Sequence, residues 1–154
     1  QGTYIWNQKT GQNASTTGTI YGIYDISGGL WERTSNYIAN GNGNLKIYGA
    51  SIAYNGNTLK TTSTKYITVY PNNESGKTNI DTASQLNFKS NTKIYGDAVR
   101  ETNSGKAGTT EEGWKISSWK NDYSSFPALG GPFLGRGSSF RTGSGAGIFA
   151  FSRT

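Results

Sequence analysis

Ten Tyr, six Phe and four Trp, spaced by 22 Gly, constrain this chain more than any other feature. Only 32% of its residues are hydrophobic, against about 45–50% on a slightly wider count in ordinary domains. Gly, Ser, Thr and Asn fill the difference, rather than charge. Disordered chains lack aromatics and carry high charge, so this composition points toward folding. Each buried ring removes roughly 150–250 Å² from water, and Gly supplies positive-φ turns and close backbone approach between rings. At 154 residues the chain is long enough to bury one core. The expectation is a single loop-rich domain spanning 1–154, built on aromatic anchors.

The chemical inventory is narrow. There is no Cys, no Met and no His, so disulfides, thiolate chemistry and imidazole acid–base or metal-ligand chemistry are absent from this chain. A chain without oxidisable sulfur suits an extracellular setting. Fifteen basic and nine acidic residues give a net charge of +6. The basic residues are scattered, and no run of them resembles a nucleic-acid-binding tail. They read as a solvated surface, with anionic cell-wall polymers or acidic neighbouring subunits as the partners such a charge would attract. No signal peptide, lipidation motif or apolar span of about 18 residues appears. The opening at Gln1 without an initiator Met suggests processing or trimming.

Along the chain, Tyr4-Ile5-Trp6, Thr19 to Tyr24 and Leu30 to Arg33 read as short strands. Leu45 to Tyr48 and Ile52 to Tyr54 are apolar pieces among Asn-Gly turns (Asn40-Gly41, Asn55-Gly56), which favour tight positive-φ hairpins. Thr64 to Tyr70 alternates as a strand does, and Pro71 then breaks the chain. Asp81 to Lys89 is a candidate short helix capped by Asp81, with Leu86 and Phe88 pointing inward. Gly96 to Thr102 is a second candidate. Thr102 to Gly113 is polar and Gly-rich, hence a loop, and Trp114, Ile116, Trp119, Tyr123 and Phe126 anchor an irregular segment. Phe133 to Phe140 and Gly147 to Phe151 close the chain as strands.

The most particular stretch is Gly22-Ile23-Tyr24-Asp25-Ile26-Ser27-Gly28-Gly29-Leu30-Trp31-Glu32-Arg33. It resembles Gly-Leu-x-Asp-Met-x-Gly-Asn-Val-Trp-Glu-Trp, the signature of the formylglycine-generating-enzyme (sulfatase-modifying factor) superfamily. Gly22, Tyr24, Asp25, Gly28, Trp31 and Glu32 are in register with it, while Gly29 and Arg33 depart. Downstream, Pro132 to Phe140 resembles the Arg-Gly-Gly-Ser-Trp element of the same superfamily through Arg136, Gly137 and Phe140, with Ser138 in place of the second Gly. Ser15 to Glu32 is similar to a subgroup of bacterial and phage-associated proteins. Tyr95 to Ala98, Asp122 to Phe126 and Gly143 to Phe149 match later pieces of that subgroup. Some of its members carry a prepilin-like N-terminus, and others accompany phage structural proteins.

The resemblance implies an α+β, C-type-lectin-like fold, loop-rich, with short antiparallel strands and one or two short helices. It also implies that Thr64 to Tyr70 lies on an irregular loop or short helix. The superfamily places a helical segment before the signature and a closing Gly-Phe-Arg strand after the Arg-Gly element. Phe151-Ser152-Arg153 is a poor match to the latter, so the domain is expected to be pared down or completed by another chain. In this fold type the Asp and Glu of the signature secure turns by accepting backbone N–H bonds while the Trp fills the core. Arg136 is a candidate partner for Asp25 or Glu32.

Catalysis is not expected. The superfamily's oxidases use paired cysteines and the related sulfoxide synthases use histidine-bound iron, and this chain has neither residue. Trp119-Lys120-Asn121-Asp122 resembles a lectin calcium triplet with Lys120 inserted, but calcium needs six to eight oxygens and no second carboxylate motif is present. Gly143 to Gly147 lacks the residues of a phosphate cradle. No cofactor and no metal are expected. What remains is a non-catalytic extracellular domain, the exposed head of a pilin-like filament or other surface assembly that packs against neighbouring subunits and adheres. A phage receptor-binding module is the alternative, and a cell-surface glycan or host receptor is the candidate ligand. Tyr123, Phe133 and Phe140, with the loops from Asn40 to Asn57, are the predicted contact residues.

Overall fold

In the computed structural model, residues 7–12, 15, 17, 19–21, 29–93, 96–101, 124–139, 141–142, 147 and 149–154 are described. Their elements run in chain order α1 (Lys9–Gln12), β1 (Glu32–Ile38), α2 (Gly43–Ala53), β2 (Tyr54–Asn55), β3 (Thr58–Leu59), β4 (Thr68–Tyr70), α3 (Ile80–Ser90), β5 (Phe133–Arg136) and β6 (Phe151–Arg153). The architecture mixes short helices with two small sheets, compatible with an α+β class.

A four-stranded sheet in the order β4-β1-β5-β6 organises everything else. β1 pairs antiparallel with β5, and β5 with β6. β1 and β4 run parallel, Asn36 opposite Thr68 and Ile38 opposite Tyr70. The sheet is therefore mixed rather than purely antiparallel. Of Thr64 to Tyr70, Thr68–Tyr70 is the strand that the alternation suggests, while residues 64–67 are an irregular loop of the kind that the resemblance implies.

Successive strand residues face opposite sides of a sheet, and this alternation builds two cores. Tyr37 and Phe133 point one way, where they join Leu45 and Ala53 of α2, with Val69 packed alongside. Ile38, Tyr70 and Leu134, each the next residue along its strand, point the other way and join Phe88 of α3, Val99, Phe126 and Phe151. The sheet lies between α2 and α3. Aromatic rings supply much of the contact: Tyr70 and Phe126 have centroids 4.7 Å apart, and Phe88 meets Phe126 edge-on at 5.7 Å.

α2 takes in the apolar pieces Leu45 to Tyr48 and Ile52 to Ala53, which the flanking Asn-Gly turns suggested would lie in hairpins, and Tyr54 alone of them enters a strand. Asn42 caps it with extended φ/ψ and accepts a hydrogen bond from the Asn44 amide, the usual N-cap arrangement. Leu45, Gly49 and Ala53, four residues apart, form its buried stripe. That spacing puts one face on the sheet. The Asn55-Gly56 turn does close a hairpin, Tyr54 opposite Leu59, with Gly56 at φ +59°.

α3 extends one residue further at each end than predicted. Its cap is Asn79, whose Oδ1 accepts from the amides of Asp81 and Thr82, both at 3.0 Å. Asp81 sits instead in the first turn, where a carboxylate complements the helix dipole, and forms a 2.7 Å ion pair with Arg153. Phe88 is buried and Leu86 half-buried.

Residues 96–101 form turns rather than a second helix. Asp97 Oδ1 accepts from the Val99 amide, and Ala98 is left-handed at φ 58°, a conformation that ends helical continuation. Thr19 to Tyr21 are also turn, closed by the Thr19 amide donating to Ser15 Oγ. Phe151-Ser152-Arg153 forms strand β6, paired antiparallel with β5. The strand expected over Tyr4-Ile5-Trp6, the loop from Thr102 to Gly113, and the anchors Trp114, Ile116, Trp119 and Tyr123 lie outside the described residues. No helix among the described residues is long and apolar enough to cross a membrane.

A buried carboxylate ties the loops together on one side. Glu74, 6% exposed, accepts from Asn40 Nδ2 at 2.7 Å, Asn87 Nδ2 at 2.8 Å and the Leu129 amide at 2.9 Å. Those donors come from the end of β1, from α3 and from the loop before β5. Three donors satisfy a charge whose unpaired burial would cost several kcal/mol.

Candidate functional site

Two regions gather functional side chains, one on each face of the sheet. On the α2 side, the helix comes unusually close to the strands. Gly49, at φ −146° and ψ 24°, interrupts helical geometry. A Cβ there would lie 2.4 Å from Phe133 Cζ and 2.6 Å from Phe133 Cε1. Only glycine lets the helix rest on that ring.

The helix consequently turns Ile47 and Tyr48 outward, 70% and 61% exposed. Arg33, exposed on β1, reaches across to them. Its guanidinium lies 5.3 Å from the Tyr48 ring centroid and 5.2 Å from that of Phe133, so it bridges a buried ring and an exposed one by cation–π attraction. A second pair sits in the loop before β4, where Lys65 Nζ lies 5.4 Å from the ring of Tyr66, itself 78% exposed. Thr64 Oγ1 shapes that loop by accepting from the amides of Tyr66 and Ile67. Ile67 packs against the α2 core, and Lys60 Nζ donates to the Ile52 carbonyl at 3.2 Å. Both contacts hold the loop to the same layer. Lys46 Nζ donates to Asn57 Oδ1 at 3.0 Å, linking helix and hairpin.

Charge along the stretch that builds this layer is one-sided. From Arg33 to Asn73 the chain carries Arg33, Lys46, Lys60 and Lys65 and no Asp or Glu. The next carboxylate, Glu74, is buried and hydrogen-bonded. The surface therefore combines exposed rings, an exposed aliphatic side chain and cations that no carboxylate of the 33–73 stretch opposes.

The opposite face holds a partly buried polar cluster. The Tyr70 hydroxyl donates to Asp97 Oδ2 at 2.9 Å and accepts from Asn36 Nδ2 at 3.2 Å. Burial, reinforced by the Asp97 charge and hydrogen bond, pushes Tyr70 ionisation far above the ordinary tyrosine range. Arg136 is drawn down by burial and supported by Tyr70, Asp97 and Glu101. Among the described residues, its Nη1 and the hydroxyl of the fully buried Ser138 have no hydrogen-bond partner. Ser138 and Gly137 both have positive φ, 70° and 84°.

The two sequence elements behind the family resemblance meet on the sheet. Glu32 is directly opposite Arg136, and Arg33 opposite Gly135, across the β1–β5 ladder. Trp31 is half-buried, with its Cβ 3.5 Å from where a Gly135 Cβ would stand. Other expectations need correction. Glu32 is exposed and so is not a buried turn anchor. Arg136 stands opposite Glu32 on the ladder, and the charges of Asp97 and Glu101 also support its own; its expected pairing with Asp25 falls on a residue outside those described. Phe133 is 2% exposed and packs on Tyr37 at 6.5 Å, a core residue unavailable for direct ligand contact. Gly22, Tyr24, Asp25, Gly28, Tyr123 and Phe140 lie outside the described residues.

Within Asn40 to Asn57, the predicted contact region, Ile47 and Tyr48 do reach the surface. Arg33 and Tyr66 were missed, since nothing local in the sequence marks a cation for stacking on a ring fifteen positions away. No group of three or more His, Cys, Asp or Glu suited to a metal occurs among the described residues. The chain matches no known family profile, no curated protein and no solved structure.

Proposed function

We propose that this chain is a non-catalytic, extracellular display domain of C-type-lectin-like type, the exposed head of a bacterial filament or comparable surface assembly. The observation that carries the reading is the α2 layer. Ile47, Tyr48 and Tyr66 stand in water beside Arg33 and Lys65, on elements secured from beneath by Phe133, Tyr37 and Leu45. Rigid rings and Arg presented at a surface are what contact faces use, because they offer area at low entropic cost. The polar networks around Glu74 and between Asp81 and Arg153 instead join elements of the domain to each other. The lectin-type fold is supported by the pairing of Glu32 with Arg136, which brings together the two motifs of the resemblance.

The test is solution behaviour. Light scattering on a sizing column, followed by negative-stain imaging, is expected to show concentration-dependent oligomers or filaments. Display without self-packing would leave a monomer that binds an external ligand through Tyr48. A monomer indifferent to every ligand, with turnover of some substrate, would refute the proposal.

A further inference from the structure

We infer that the α2 layer binds an acidic polysaccharide, with uronate rings lying on Tyr48 and Tyr66 and their carboxylates paired to Arg33 and Lys65. The inference rests on the display reading and names its ligand class. Its basis is a repeated unit: an exposed tyrosine ring with a cation 5.3 Å or 5.4 Å from the centroid occurs twice in one layer. A uronate pyranose offers the complementary pair, an apolar C–H face for the ring and a carboxylate at its edge for the cation. Tyrosine adds a hydroxyl able to hydrogen-bond sugar hydroxyls.

Charge supports the same class of ligand. The 33–73 stretch holds four cations and no carboxylate, so an anionic polymer meets no repulsion from this stretch. A neutral glycan would bring no counter-charge to Arg33 and Lys65, whose positions over the rings are already set. A second copy of the chain would bring its own surplus of positive charge, since the net charge is +6. Arg33 is preorganised, because the buried Phe133 ring holds its guanidinium on the inner side. Such preorganisation lowers the ordering cost of binding.

The test titrates the whole chain with polygalacturonate, with poly-L-glutamate of matched charge, with neutral dextran, and with phosphatidylglycerol vesicles. Polygalacturonate is expected to bind, dextran not, and poly-L-glutamate about 10-fold more weakly. Tyr48→Ala and Arg33→Ala should each weaken polygalacturonate binding about 5- to 10-fold, while Tyr48→Phe keeps most of it. Tyr48 is well exposed, so thermal melts of the Tyr48 variants should match the parent, and Lys46→Glu, which reverses an exposed charge on the same face, should weaken polygalacturonate binding without touching a buried ring. Equal affinity for poly-L-glutamate and polygalacturonate, insensitive to Tyr48→Ala, would overturn the inference in favour of an acidic polypeptide partner. Preferential binding to the vesicles would overturn it in favour of a lipid surface. If no polymer or vesicle binds while the protein still forms filaments, the ligand class is wrong and the display reading survives.

Discussion

Replacing Gly49 by Ala tests the central packing claim, that α2 rests on the ring of Phe133. The added methyl would stand 2.4 Å from Phe133 Cζ, well inside van der Waals contact. Relief requires the buried Phe133 ring to rotate or α2 to lift. Phe133 is held by Tyr37 at 6.5 Å and by the strand pairs on both sides of β5, so neither movement is free. Overpacking of this kind costs about 1–3 kcal/mol. Ala would gain about 1 kcal/mol over Gly in a regular helix, but Gly49 is not in helical φ/ψ, so little of that gain is available. The expected net loss is about 1–3 kcal/mol, or a Tm lower by roughly 3–8 °C for a chain of this size. Thermal and urea unfolding, followed by circular dichroism and tyrosine fluorescence, measure it.

A double-mutant cycle with Phe133→Leu locates the cause. Phe133→Leu alone destabilises by leaving space, whereas in the Gly49→Ala background it removes the clash. The double variant should be more stable than the sum of the single effects predicts, by about 1 kcal/mol or more. The same cycle reaches function, because Tyr48 precedes Gly49 and its position over Arg33 depends on where the helix lies. A neutral or stabilising Gly49→Ala, or strict additivity with Phe133→Leu, would refute this packing and with it the support beneath the proposed binding face.

Other consequences can be measured on the same preparations. Glu74→Gln places an amide donor against one of the three donors that Glu74 accepts, and should cost about 2–3 kcal/mol by urea denaturation; no loss would mean the Glu74 junction is not a stabilising centre. Ser138→Gly relieves a left-handed φ of 70° and removes a buried hydroxyl that has no partner among the described residues, so Tm should rise by a few degrees, about 1 kcal/mol net of the added chain entropy. The raised Tyr70 ionisation fixes an alkaline response. Its neutral phenol contributes stability that is complete below the unfolded value near pH 10 and is lost as pH rises toward the higher folded value. Tyr37, raised chiefly by burial, acts in the same direction. Urea midpoints from about pH 7 to pH 11 should fall at the alkaline end, and less steeply in Tyr70→Phe; an unchanged slope in that variant would exclude Tyr70 as a source.

Local signals were legible where local chemistry decides. Asn55-Gly56 announced a hairpin because its turn needs positive φ, and Gly56 adopts it. The α3 helix was visible from Asp81 to Lys89, although the cap fell to Asn79, two residues earlier, whose side chain accepts from the free amides of Asp81 and Thr82. α2 was misread because its apolar pieces are too short to separate a period of two from one near four. Asn42 followed by Leu45, Gly49 and Ala53 carries the helical signal, and a glycine in the stripe conceals it. Ring burial was illegible for the same length of sequence: Phe133 and Tyr48 are both aromatic residues near Gly, yet one is core and the other surface.

The sequence by itself determined the chemical inventory, an aromatic-anchored fold without thiol or imidazole, and the tight turns, because composition and φ preference are properties of single residues or pairs. Only the tertiary structure decided that β1 lies between β4 and β5, that Glu32 stands opposite Arg136, and that Arg33 stacks on Tyr48. Those depend on pairings between residues as far apart as Thr34 and Leu134, 100 positions in sequence and joined by a 3.0 Å hydrogen bond. Closing such a loop costs entropy that no local preference repays, so the choice of partner is made by the packing of two cores on one sheet.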